Sequence, residues 1–137
     1  MKVEEVFDIV RRKRFLVVST VHDSGRPEAA LMGFALTAEN EFVFDTLSSS
    51  RKAVNIAHNP AAALVIGWDD GVSIQIEGEA RQPVGDDLAR AKAAYFREWP
   101  DGRDREHWPN IAYFVVRPRW VRYSSYAGAP VVEEFTL

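Results

Sequence analysis

The stretch of this chain best suited to chemistry is a turn of hydroxyls followed by two cations: Thr46, Ser48, Ser49, Ser50, Arg51 and Lys52. It follows Phe42, Val43 and Phe44, an apolar, β-prone run that predicts a short strand. A short helix is predicted over 51–58. Asn59 and Pro60 would stop it, since a residue before proline is pushed out of the helical region. Ser48, Ser49 and Ser50 are all suitable N-caps. Arg51 and Lys52 then fall in the first turn, where the helix end already carries partial positive charge. Cations at that end, beside hydroxyls and free N–H groups, make sense around an anion, and phosphate is the standard occupant. Each charge-assisted hydrogen bond would contribute roughly 1.5–3 kcal/mol. After association costs, a few such bonds hold a bare phosphate only weakly, so tight binding needs an apolar body attached to it. The alternative is a solvated turn whose Arg51 and Lys52 point into water.

Other chemistries find less support. His22, His58 and His107 are far apart and form no short ligand spacing, so no metal site is expected. His58 fits as a cation at a helix C-terminus. The serines lack a nucleophile-elbow pattern. No GxGxxG or Walker sequence is present, which argues against a Rossmann dinucleotide site or a P-loop. The chain has no cysteine, hence no disulfide frame, thiolate metal site or cysteine nucleophile. Trp68, Trp99, Trp108 and Trp120 could stack on a planar ligand, but core or dimer-interface roles are the first expectation for each.

The elements that must position the turn can be read in order. Residues 2–13 predict a helix with Val3, Val6, Phe7 and Val10 on one face and the basic cluster 11–14 at its C-terminal end. Residues 15–22 and 28–37 predict strands joined by a turn over 23–27. With 42–46 they form an expected meander of three antiparallel strands. Residues 61–68 are an almost continuous apolar run, expected as a strand buried on both faces or a central barrel strand. Asp69, Asp70 and Gly71 predict a hairpin turn. Over 72–81, Val72, Ile74 and Ile76 alternate with Ser73, Gln75 and Glu77, and Gly78 suggests a bulge or a close approach. Residues 86–99 are the strongest helix, with Asp86 as its expected cap and Leu88, Ala91, Ala94 and Tyr95 as its apolar stripe. Residues 101–110 read as a charged loop. Strands are expected over 111–117 and 120–126, with a last edge strand over 131–135. The order is not a βαβ repeat. It predicts a mainly β protein with flanking α, a six-stranded antiparallel split β-barrel with short outer helices.

Composition is consistent with that reading. The 137 residues are expected to make a single domain, 1–137, with 47 % hydrophobic and 27 % charged residues. A net charge of −3 argues against nucleic acid as a partner. No apolar run approaches a membrane span, and the start of the chain is acidic where a signal peptide would be basic, so a cytoplasmic location is the expectation.

From Phe15 to about Tyr126 the chain resembles the pyridoxamine 5'-phosphate oxidase-like, FMN-binding split-barrel superfamily. The likeness rests on the N-terminal helix, the strand–DSGRP–strand opening, FVFDTLSSSRKAVNIAHNPAAALVI and VSIQIEGEARQP. The resemblance implies FMN in a groove between two subunits of a homodimer. The phosphate would meet Thr46, Ser50, Arg51 and Lys52. The ring would lie along Leu31, Met32 and Gly33 and near Phe44 and Asp45, with a contact from Ser73. The vitamin B6 oxidases carry an Arg and a Lys on the strand that here reads AALMGFA, and they end in an Arg-x-His motif that WVRYSS replaces. The resemblance therefore implies a divergent member, an FMN-dependent oxidoreductase acting on an unidentified small substrate. Trp120, Tyr123 and Tyr126 are its possible pocket-lining groups. Related proteins use a deazaflavin coenzyme or haem instead, and a non-catalytic flavin-binding protein is the further alternative.

Overall fold

In the computed structural model, which describes residues 1–137, eight strands form one antiparallel sheet. The chain begins with α1 (Val3–Val10), whose Val6, Phe7 and Val10 are buried. The helix is shorter than the 2–13 expected: the amides of Arg12 and Lys13 donate only three residues back, to the Ile9 and Val10 carbonyls, so the chain leaves the helix in tight turns after Val10. Strands β1 (Phe15–Val21) and β2 (Pro27–Gly33) form a hairpin. β3 (Ala35–Leu36) pairs with β4 (Phe42–Leu47). After α2 (Arg51–His58) come β5 (Ala61–Ile66) and β6 (Val72–Arg81). Helix α3 (Gly85–Glu98), a 3-10 turn (Pro100–Arg105), β7 (Ile111–Ser125) and β8 (Val131–Thr136) complete the chain.

The strand order is β2-β1-β5-β6-β7-β4-β3, with β8 also paired to β7. The expected three-strand meander does not form. β2 and β3 stand at opposite ends of this order, yet only Phe34 separates them in sequence. The sheet must therefore curl round until its two ends meet at Phe34, whose amide donates to the Arg14 carbonyl at 3.1 Å. That closure makes the split barrel. It also divides the predicted 28–37 strand in two, and the sheet has eight strands where a six-stranded barrel was expected.

The barrel is filled by Leu16, Val18, Phe42, Phe44, Leu64, Ile66, Ile74, Ile76 and Val121, with α1 packed into the same cluster. Each such fully buried side chain contributes about 1.5–3 kcal/mol. β5 alternates between exposed and buried positions, so its apolar run covers one inner face and leaves Ala61, Ala63 and Val65 outside. Its place between β1 and β6 matches the central-strand alternative.

β7 runs unbroken through Pro118, where two strands were expected. The ring costs no ladder bond on the outer edge, because β4 pairs up to Val116 and β8 starts at Trp120. On the inner side the β6 register shifts at Glu77/Gly78, so Gly78 is the expected bulge and close approach: a Cβ there would stand 2.2 Å from the Arg117 carbonyl oxygen.

α3 packs outside the barrel, burying Ala91, Ala94, Tyr95 and Phe96 against Ala35, Val43, Tyr113 and Val115. It starts one residue before Asp86, with Val84 as its backbone cap. Asp86 and Asp87 serve as first-turn anions instead of the expected cap. Arg81 ties the layers together, donating to both carboxylate oxygens of Glu41 (2.9 and 3.0 Å) and of Asp87 (2.9 Å each). The expected loop over 101–110 begins as the 3-10 turn, whose Arg105 reaches back to Asp45 at 3.1 Å. No helix is long and apolar enough to cross a membrane.

Candidate functional site

The turn before α2 sits where the barrel interior opens. Thr46 is on β4 and shares a face with Phe44, two residues back, while Asp45 between them points to the opposite face. Phe44 lies in the barrel core, its ring 5.9 Å from that of Phe114. Thr46 is the next inward position, half-buried at the mouth. Its hydroxyl donates to Ser50 Oγ at 3.0 Å, and Ser50 caps α2 by accepting from the Ala53 amide at 3.3 Å. Lys52 donates from Nζ to Thr46 Oγ1 at 3.5 Å. The first-turn amides of α2 have no partner within their own helix.

Lys52 is the electrostatic feature of this mouth. It is half-buried, and loss of water holds its pKa below the usual lysine range. No carboxylate pairs with it. Arg51 is exposed and pairs with Glu28 of β2 at 2.5 Å. Glu28 also accepts from Asn55 Nδ2 at 2.9 Å, and the same nitrogen lies 3.0 Å from Thr20 Oγ1. Hydrogen bonds from Arg51, and then Asn55, hold the Glu28 carboxyl below the ordinary glutamate range. A cavity of about 200 Å³ lies beside these groups, lined by Val18, Thr20, Glu28, Ala30, Arg51 and Lys52 among others.

Thr46, Ser50, Arg51 and Lys52 thus come together as one cluster. The other expected contacts do not share it within one protomer. Asp45 faces α3, where its carboxylate accepts from Tyr95 Oη at 3.0 Å and Arg105 Nε at 3.1 Å. Phe44 has no exposed side chain. On β2, Leu31 is exposed on the outer face, whereas Met32 packs against the core. Gly33 meets Trp99, with the position of a Cβ only 2.6 Å from that ring. Ser73 pairs with Ser124, whereas Thr46 pairs with Ala112, so the two lie toward opposite ends of the long strand β7.

Glu28, Asn55 and Thr20 escaped the sequence reading. A register laid out from the DSGRP turn sets Glu28 opposite Thr20, which was the available signal. No tryptophan is fully buried in the single chain, so none is a core residue there. Trp68 and Trp108 are about half exposed (53 % and 49 %), and Trp99 is part-buried, donating from Nε1 to the Phe34 carbonyl at 2.9 Å. His22 pairs with Asp23, while His58 and His107 are exposed. No group of histidines and carboxylates could hold a metal ion.

A curled antiparallel split barrel with a capped, cation-bearing turn at its mouth defines the class of protein. The family model described as pyridoxamine 5'-phosphate oxidase matches residues 3–125, and the chain belongs to that family. A pyridoxine/pyridoxamine 5'-phosphate oxidase from Streptomyces avermitilis is 32 % identical over 112 residues, which are 81 % of this chain and 48 % of that protein. The chain therefore spans about half the length of the curated relatives it matches. Among solved structures, a haem binding protein from Mycobacterium smegmatis superposes with a TM-score of 0.85 at 23 % identity, covering 97 % of this chain and 57 % of that one. A pyridoxamine 5'-phosphate oxidase-related, FMN binding protein from Nostoc punctiforme gives 0.71 at 16 % identity, covering 99 % and 95 %. At those identities the likeness is one of fold.

Proposed function

We propose that the chain is an FMN-binding flavin oxidoreductase that acts on a small substrate as a homodimer, with residues 1–137 serving as one cofactor-binding domain. The observation that carries this reading is Lys52: a part-buried cation with no acidic partner, beside two hydroxyls and an open cavity. Burying a cation without a counter-charge is unfavourable, and an anionic ligand removes that penalty. The phosphate would rest among Thr46, Ser50, Arg51, Lys52 and the first-turn amides of α2.

The cavity suits a phosphate and is too small for a whole flavin, since drug-sized ligands occupy about 300–1,000 Å³. The ring would lie outside it along β2. That strand ends the sheet order, and its free edge offers unpaired backbone groups near Leu31, Met32 and Gly33. Phe44 and Asp45 would contribute through the backbone of β4 and through the wall behind it. The ring then needs a cover. The apolar outer face of the neighbouring strands, with Leu31, Val17 and Val65 in one row, suits a second copy of the chain. Ser73 would reach the cofactor from that second copy. FMN supplies the redox chemistry when bound, and these residues anchor its phosphate, orient its ring and exclude water.

The double variant Arg51→Ala/Lys52→Ala tests the reading. It is expected to weaken FMN binding about 100-fold or more, at roughly 1.5–3 kcal/mol per lost charged hydrogen bond, and to leave riboflavin binding unchanged. FMN affinity equal to that of wild type would sink the phosphate site. Haem is the second reading, supported by the 0.85 superposition on a haem binding protein. Absorption spectra after adding FMN, haem or a deazaflavin coenzyme separate these cofactors. Tight flavin binding with no turnover of NADH or NADPH would instead favour a non-catalytic binder.

A further inference from the structure

We infer that Glu28 is the counter-ion built into the anion site, and that it limits how much negative charge the site accepts. This rests on the phosphate site proposed above. Of the three charged groups there, the carboxylate is the fixed one. Its side chain is only 12 % exposed, and it is held by Asn55, itself 2 % exposed and anchored to the buried Thr20. Arg51, with its side chain 75 % exposed, is free to swing away. A phosphate entering the cavity can recruit Arg51 but cannot dismiss Glu28, which lines the same space. Arg51, Lys52 and Glu28 together carry a single net positive charge. A phosphate monoester brings about one and a half to two negative charges at neutral pH. The charge beyond the first meets the Glu28 carboxylate with only the first-turn amides of α2, and no further cation, to match it. Glu28 therefore holds the phosphate monoester below the affinity that the cations of the site could reach.

Replacing Glu28 by Gln can keep the oxygen that accepts from Asn55, while it removes the charge and turns the oxygen facing Arg51 into an amide that no longer accepts from it. FMN and riboflavin differ only by the phosphate, so they are the probes, titrated by flavin fluorescence at fixed ionic strength. Glu28→Gln is expected to tighten FMN about tenfold and leave riboflavin unchanged. Unchanged FMN affinity, or equal tightening of both flavins, overturns the inference. Circular dichroism and thermal melting establish that the variant folds. Should it not fold, Glu28→Asp draws the carboxylate back by one methylene and is expected to tighten FMN in the same sense; no tightening there also overturns the inference. Arg51→Ala/Lys52→Ala judges the underlying reading separately. If that variant loses FMN while Glu28→Gln gains nothing, the phosphate site stands and the role of Glu28 falls. If it binds FMN like wild type, the phosphate site itself falls.

Discussion

Lys52 would give the proposed anion site a pH signature. Burial lowers its pKa from 10.5, and no carboxylate offsets that shift. A bound phosphate favours the charged ammonium and would raise the pKa again. Affinity for FMN is then full while free Lys52 is protonated, and it is lost as pH rises through a value below 10.5. The phosphate is already a dianion above about pH 6, so the falling limb belongs to the lysine. The expected outcome is an FMN affinity that declines on the alkaline side while the riboflavin control does not follow it. Lys52→Arg should move that limb out of range, because a guanidinium stays charged. At this scale the sequence was informative about Ser50, Arg51 and Lys52, since their chemistry is local to one turn. It was silent about Glu28, which meets Arg51 only through the pairing of β1 with β2 and the packing of α2 on β1.

At the scale of elements, the contact between β6 and β7 is the least forgiving. Gly78→Ala would place a methyl 2.2 Å from the Arg117 carbonyl oxygen, and two backbones in one ladder cannot both step aside. A loss of about 1–3 kcal/mol is expected, or roughly 3–12 °C in Tm by thermal melting. Gly128→Ala, where a Cβ meets nothing within 4 Å, is the matched control and should be near neutral. The bulge was readable in sequence, because a glycine interrupted clean alternation. The continuous β7 was not. Pro118 looked like a strand break, and only the handover of partners from β4 to β8 makes it harmless.

At the scale of the whole molecule, the outer face of the sheet is the unusual surface. Leu31, Val17, Val65 and Gln75 lie in one row across four strands, beside a row of Ala29, Ser19, Ala63 and Glu77. Leu31 is 62 % exposed in the single chain. A row so apolar at its centre suits a partner of the same kind. Val65→Lys is expected to halve the mass seen by sedimentation and to weaken FMN binding together with it. A wild-type chain that already sediments as a monomer, and binds FMN as one, would remove the dimer from the proposal.

The sequence by itself determined the strand-rich architecture, the inner faces of the barrel strands, the bulge at Gly78 and the capped turn that brings Ser50, Arg51 and Lys52 together. All of these follow from periods of two or 3.6 residues, or from the chemistry of one turn, and so are local. The tertiary structure alone decided which strands adjoin. It carried β2 and β3 to opposite ends of the order, committed Asp45 to Tyr95 and Arg105, and brought Glu28 against Arg51. The physical reason is curvature. A sheet that closes at Phe34 joins residues through pairings and packing that no spacing along the chain encodes.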